Sequence, residues 1–229
     1  MRLILFDVDG TLVDCGGQVR PLFGAALEEV FGTAGDLDGY DFAGKTDPRI
    51  VLDLMTAAGI AGDAIHAALP RMRTAYLRRL EAGLRRESIR LLPAVAELLA
   101  RLAVREELAI GLLTGNWERG ARAKLGRVGL DGYFPFGAFG EDGAERADLV
   151  PAALARAAAC RGGSFSPEET LIVGDSPLDV ACARAHGARA LAVATGRTPA
   201  AALAEAGADW VIADLGRASD CLPVFGESP

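Results

Sequence analysis

The chain alternates short apolar runs with longer stretches in which apolar residues recur every three or four positions. Residues 3–6, in "RLILFDVDGT", have the length and apolarity of a buried strand, and Asp7 ends the run. The same shape returns in "LAIGLLTGN" (108–116), "ETLIVGDSPLD" (169–179) and "ARALAVATG" (188–196). Between these runs, "LLPAVAELLARLA" places Pro93 near a helix start and follows it with an apolar stripe. "ADLVPAALARAAAC" and "SPLDVACARAHG" are patterned alike, and Gly187 suits a helix stop. Strands alternating with helices predict an α/β fold: a Rossmann-like parallel sheet core with helices on both faces.

One region departs from the alternation. Between Val13 and Glu87 no strand-like run occurs, only the helical patterns "PLFGAALEEVFG", "DPRIVLDLMTAAG" and "AALPRMRTAYLRRLEAG". This predicts an inserted α-helical domain over residues 15–87, leaving residues 1–14 and 88–229 as the α/β core. The linkers fall near residues 14–17 and 87–92. The stretch after Asp220 reads as a loose terminus.

Composition narrows the possibilities. Hydrophobic residues make up 51% of 229, enough for a sizeable core. A formal charge of −7 argues against a nucleic-acid or acidic-membrane surface, though a local pocket can still hold a small anion. The positive charge is almost all arginine; the lysines are Lys45 and Lys124. Cys15, Cys160, Cys182 and Cys221 are far apart and lack zinc spacing, so they are expected to be reduced thiols of a cytoplasmic protein. No secretory signal and no run of membrane-spanning length is present.

Candidate chemistry gathers where the apolar runs stop. Ligands of open α/β sheets bind beyond the carboxyl ends of the strands. Here those ends carry Asp7-Val8-Asp9-Gly10-Thr11, Thr114-Gly115-Asn116, and Gly174-Asp175 with Asp179 four residues on. Folded together, these carboxylates repel one another unless a hard cation joins them, and oxygen ligands suit Mg²⁺. Singly, "DVDG" reads equally as a turn and "GDSPLD" as a helix cap at Ser176.

A competing motif sits in the insertion. "GYDFAGKT" (39–46) fits the phosphate-loop pattern G-x-x-x-x-G-K-[ST]. Such a loop needs a strand before its first glycine, and "GTAGDLD" is none. Asp41 would also put a negative charge where phosphates should lie. A nucleotide-binding loop is therefore not expected.

Taken in order, the motifs resemble those of the haloacid dehalogenase superfamily of phosphotransferases. "DVDGT" is similar to its first motif, "LLTGN" to its second and "GDSPLD" to its fourth, over Met1 to Gly196. The resemblance implies a Mg²⁺-dependent phosphomonoester hydrolase that acts on a small phosphorylated metabolite through an aspartyl-phosphate. Asp7 would be the nucleophile and Asp9 the acid/base. Asp7, Asp9 (through its carbonyl) and Asp175 would hold the metal, with Asp179 behind them. Thr114, Gly115, Asn116 and Thr11 would bind phosphoryl oxygens. The third motif supplies a cation before the fourth; neither lysine lies there, and Arg146 is best placed, ahead of Arg156 and Arg161. The insertion would be a cap, with "FAGKTD" its specificity loop and Lys45 reaching for the far end of the substrate. The layout is similar to the phosphoglycolate phosphatase and β-phosphoglucomutase branches, so a phosphosugar mutase stays open. A phosphonate C–P hydrolase, with Lys45 as Schiff-base former, is disfavoured by Asp9. A non-catalytic binding protein is disfavoured because every catalytic position is filled. The expected assembly is a monomer or weak homodimer.

Overall fold

The computed structural model describes residues 2–217, so the stretch after Asp220 and Cys221 lie outside the described residues. In chain order the elements are β1 (Arg2–Phe6), β2 (Val13–Asp14), α1 (Val19–Phe31), α2 (Asp47–Ala57), α3 (Gly62–Gly83) and β3 (Arg90–Leu91). There follow α4 (Val95–Ala103), β4 (Leu108–Leu113), α5 (Glu118–Arg127), β5 (Gly137–Ala138) and α6 (Leu149–Arg161). The described chain closes with β6 (Thr170–Gly174), α7 (Pro177–His186), β7 (Arg189–Val193), α8 (Ala200–Glu205) and β8 (Trp210–Ile212).

Six strands form one parallel sheet in the order β5-β4-β1-β6-β7-β8. Side chains of a strand alternate between faces, and the core divides accordingly. Ile4, Phe6, Ile110, Leu112, Leu171 and Val173 join one apolar cluster with α4, α5 and the helices α1–α3. Leu3, Leu5, Ala109, Ile172, Ala190 and Ala192 join the other, with α6 and α7. Both faces are covered, which is why these strands read as continuous apolar runs.

The chain leaves the core after β2 and returns through β3, and these two segments pair antiparallel, Val13 with Leu91 and Asp14 with Arg90. Helices α1–α3 lie between them. Gly187 ends α7 with a positive φ of 74°, the left-handed stop its position predicts. Among the described residues no helix is long and apolar enough to cross a membrane.

Candidate active site

Register brings the polar strand ends level. Phe6 pairs with Leu112 of β4 and with Val173 of β6, so Asp7, Thr114 and Asp175 emerge side by side. The Asp7 N–H donates to the Val173 carbonyl at 2.9 Å, which fixes where β1 ends. Loops close tightly over Asp175. A Cβ added at Gly196 would sit 1.7 Å from its Oδ2, and one added at Gly10 would sit 2.4 Å away.

Asp7, Asp175 and Asp179 are buried, and an oxygen from each lies within 4.8 Å of the others. For Asp7 and Asp175, burial and the neighbouring carboxylates disfavour the charged form. Burial pushes Asp7 up to about 6, with Arg146 pulling it back and Asp179 adding to the rise. Asp175 is pushed up to about 8 by burial and then by Asp7. Arg146, from the short turn Arg146–Asp148, opposes this crowding. Its Nη2 lies 2.8 Å from Asp7 Oδ1 and 2.6 Å from Asp179 Oδ1, and it donates to the Leu113 carbonyl at 2.9 Å. Among the described residues its buried Nε has no hydrogen-bond partner, and the residue lines the cavity. Arg156 is instead paired with Asp142, and Arg161 donates to the carbonyls of Glu106 and Leu108. Three acidic groups against one arginine leave a negative, all-oxygen donor set. That set fits a hard divalent cation.

Three of the motif residues make their polar contacts within the protein. Thr11 is fully buried and donates to Asp175 Oδ1 at 3.1 Å, so it supports a carboxylate rather than facing the cavity. The Asn116 amide is engaged internally: Nδ2 donates to Asp9 Oδ2 and to Thr114 Oγ1, both at 2.8 Å. Asp179 caps its own helix, Oδ2 accepting from the Ser176 N–H and hydroxyl at 3.0 and 2.7 Å.

The residue that sequence reasoning missed is Lys124. It is 1% exposed, and its Nζ donates to Asp9 Oδ2 and to Asn116 Oδ1, both at 2.6 Å. Burial works against its charge, but the acidic groups around it, Asp9 first and then Tyr76, Cys15 and Asp47, together outweigh burial and hold the ammonium protonated. A signal was present. Trp117, Ala121, Lys124 and Leu125 follow the i, i+4, i+7, i+8 spacing of a buried helical face, with a lysine in an apolar place.

The inserted segment reaches the site through residues 44–47. The Asp47 N–H donates to the Gly115 carbonyl at 2.7 Å, and its Oδ2 accepts from the Trp117 N–H at 2.8 Å. Burial pushes the Asp47 carboxyl up to about 7. The Thr46 hydroxyl donates to the Ala144 carbonyl at 2.6 Å and caps α2. Gly44 has a φ of +69°, and a Cβ there would sit 2.2 Å from Ser176 Oγ. No strand precedes Gly39, and Lys45 lies 3.5 Å from Asp53 and 3.9 Å from the Tyr40 ring centre. The segment is therefore not a phosphate loop. Lys45 lines a cavity of about 580 Å³ together with Asp7, Asp9, Thr114, Arg146 and Asp175.

A doubly covered parallel sheet with this carboxylate cluster at its strand ends defines an α/β protein whose candidate site lies beyond the carboxyl ends of β1, β4 and β6. A model described as haloacid dehalogenase-like hydrolase matches residues 4–193. The chain belongs to that family. It is 30% identical over 219 residues to the phosphoglycolate phosphatase of Synechococcus elongatus, covering 93% of this chain and 92% of that one. To the phosphoglycolate phosphatase of Yersinia pestis it is 29% identical over 229 residues, covering 99% and 94%. A solved structure described as a predicted phosphatase from Clostridium acetobutylicum superposes with a TM-score of 0.74 at 17% identity, covering 97% and 98%; that likeness concerns the fold alone.

Proposed function

We propose that the chain is a Mg²⁺-dependent phosphomonoester hydrolase working through an aspartyl-phosphate on Asp7. Its proposed substrates are small phosphorylated carboxylic acids, with phosphoglycolate the first to test. The placement of Asp7 carries the reading: buried at the end of β1, 2.8 Å from Arg146, between Thr114 and Asp175. In the first half-reaction an Asp7 oxygen bonds to phosphorus, the bond from phosphorus to the leaving-group oxygen breaks, and Asp9 gives that oxygen a proton. In the second, Asp9 takes a proton from water as the water oxygen bonds to phosphorus and the bond to Asp7 breaks. Arg146, 2.8 Å from Asp7, neutralises charge on the phosphoryl oxygens. The carboxylates of Asp7 and Asp175, with the Asp9 carbonyl, would hold Mg²⁺, which supplies further neutralisation.

The relatives named phosphoglycolate phosphatase support the substrate class. So does the cavity, which Arg20, Lys45 and Arg197 line as well; these cations suit a substrate carboxylate. Residues 15–87 act as the cap in this reading. The test is phosphate release from a panel of phosphorylated metabolites, including phosphoglycolate and phosphosugars, with Mg²⁺ and with EDTA. Release with Mg²⁺ and none with EDTA is expected; no release from any ester would sink the proposal.

Mg²⁺ should also show in stability. Asp7 and Asp175 stand above the unfolded value of 3.8, so their contribution to metal-free stability is full below that pH and lost as pH rises through about 6 and about 8. Mg²⁺ needs the ionised carboxylates. At a hundredfold excess over Kd it should add about 2.7 kcal/mol at pH 8. Thermal melts should show a clearly smaller gain at pH 5.5, and an equal gain at both would remove these carboxylates from the metal site.

Lys45→Ala should cost about ten- to two-hundredfold in kcat/KM on the native substrate, the range of a charge-assisted hydrogen bond. Hydrolysis of 4-nitrophenyl phosphate, which offers the cap nothing to grip, should persist. Equal loss on both substrates would move Lys45 into the catalytic centre.

A further inference from the structure

We propose that Lys124 is a positioning residue for Asp9, pinning carboxylate oxygen Oδ2 so that Oδ1 alone exchanges protons with leaving group and water. The role rests on the reading of Asp9 as the acid/base.

The Asp9 side chain is 41% exposed, whereas that of Lys124 is 2% exposed, so the carboxylate faces the cavity with its back to a buried ammonium. Both strong donors converge on one oxygen: Lys124 Nζ at 2.6 Å and Asn116 Nδ2 at 2.8 Å reach Oδ2. Among the described residues Oδ1 has only the Cys15 Sγ, a weak donor at 3.7 Å. The ammonium can only donate, so the Asn116 carbonyl oxygen must face it. That turns the Asn116 NH₂ towards Asp9 and Thr114. One lysine thus orients the proton-transfer carboxylate and, through Asn116, the hydroxyl of the second motif. Tyr76 and Asp47, from α3 and α2, act electrostatically on the same ammonium, and among the described residues the buried Tyr76 hydroxyl has no hydrogen-bond partner.

Stability alone does not account for this lysine. It occupies an apolar place on α5, and a buried ion pair is commonly no better for stability than a well-packed apolar residue. What it supplies is direction. In the first half-reaction the proton leaves Oδ1 for the leaving-group oxygen as the phosphorus–oxygen bond breaks. In the second, a water proton arrives at Oδ1 as the bond to Asp7 breaks. Lys124 keeps its protons throughout.

The experiment is a cycle of Lys124→Met, Asp9→Asn and the double variant, assayed on phosphoglycolate and 4-nitrophenyl phosphate, with melting curves for each. Lys124→Met should lower kcat about 10- to 100-fold with KM changed less than about threefold, less than the roughly 100- to 10,000-fold that the acid/base group itself supplies. In the Asp9→Asn background the same substitution should cost less than about threefold, because nothing is left to position. Lys124→Arg, which keeps the cation, should retain more activity than Lys124→Met. An unchanged kcat, an equal loss in both backgrounds, or a rise in KM alone would overturn the proposal. So would failure of both the Met and Arg variants to fold, which would assign Lys124 to the fold. The reading of Asp9 is judged separately: wild-type kcat in Asp9→Asn alone would remove it.

Discussion

Replacing Asp7 by asparagine is expected to stop turnover and leave a folded protein. Asparagine has nearly the same shape, but its amide is a poor nucleophile and carries no charge for a cation. Loss of a nucleophile costs on the order of four or more decades in kcat. The fold should tolerate the change. Asp7 is held above its ordinary pKa by burial, so at neutral pH its charge costs stability when no metal is present. The Arg146 guanidinium keeps a partner in Asp179, 2.6 Å away. Metal-free Asp7→Asn should therefore melt at or above the wild-type temperature at pH 8, and its gain from Mg²⁺ should shrink. Near-normal turnover would end the aspartyl-phosphate mechanism here. A lost cooperative transition would make Asp7 a structural residue instead.

What the sequence showed of this site depended on how local each signal was. Asp7, Asp9, Thr114 and Asp175 were legible because each follows a buried strand within one to three residues, and parallel register then places them together. Arg146 was legible only through the family resemblance, which implies a cation ahead of the fourth motif; its place just before α6 suited it best. Lys124 was not. On a helix, one lysine among "ERGARAKLGR" looks like another solvated cation, and only the phase of Trp117, Ala121 and Leu125 marks its face. The partners of polar groups were also out of reach. Thr11 and Asn116 belong to the right loops, yet whether a hydroxyl or amide meets a ligand or a neighbouring carboxylate is decided by tertiary geometry.

The fold shows the same division. The long apolar runs became β1, β4, β6 and β7, whereas β5 and β8 span only Gly137–Ala138 and Trp210–Ile212. Segments that short gain strand geometry from a neighbour, through pairs such as Leu113 with Ala138 and Leu191 with Trp210, and carry no periodicity of their own. The contact of residues 44–47 with Gly115, Trp117 and Ala144 is likewise a property of docked surfaces.

Arg146→Ala is expected to be the most damaging substitution for activity and stability together. On activity, loss of a positioned donor at a developing charge costs on the order of a hundred- to a thousandfold in kcat. On stability, the variant leaves Asp7, Asp175 and Asp179 buried and crowded without a cation. Removing one partner of a buried pair costs about 3–5 kcal/mol. The pH dependence separates this loss from a simple packing defect. Arg146 now lowers both Asp7 and Asp175, so without it their folded-state values climb beyond about 6 and about 8. A carboxyl raised on folding contributes its stability below its unfolded value and loses it as pH rises through the folded one. Near pH 4–5 the folded carboxyls of both proteins hold their protons, and the arginine is least needed. At pH 8 the variant must either bury unpaired charge or keep protons that solvent would remove. The stability gap to wild type in metal-free urea unfolding should therefore widen from pH 5 to pH 8, and Mg²⁺ should narrow it at the higher pH. A gap equal at both pH values would mean that Arg146 is felt through packing alone and that the guanidinium does not govern the Asp7 charge.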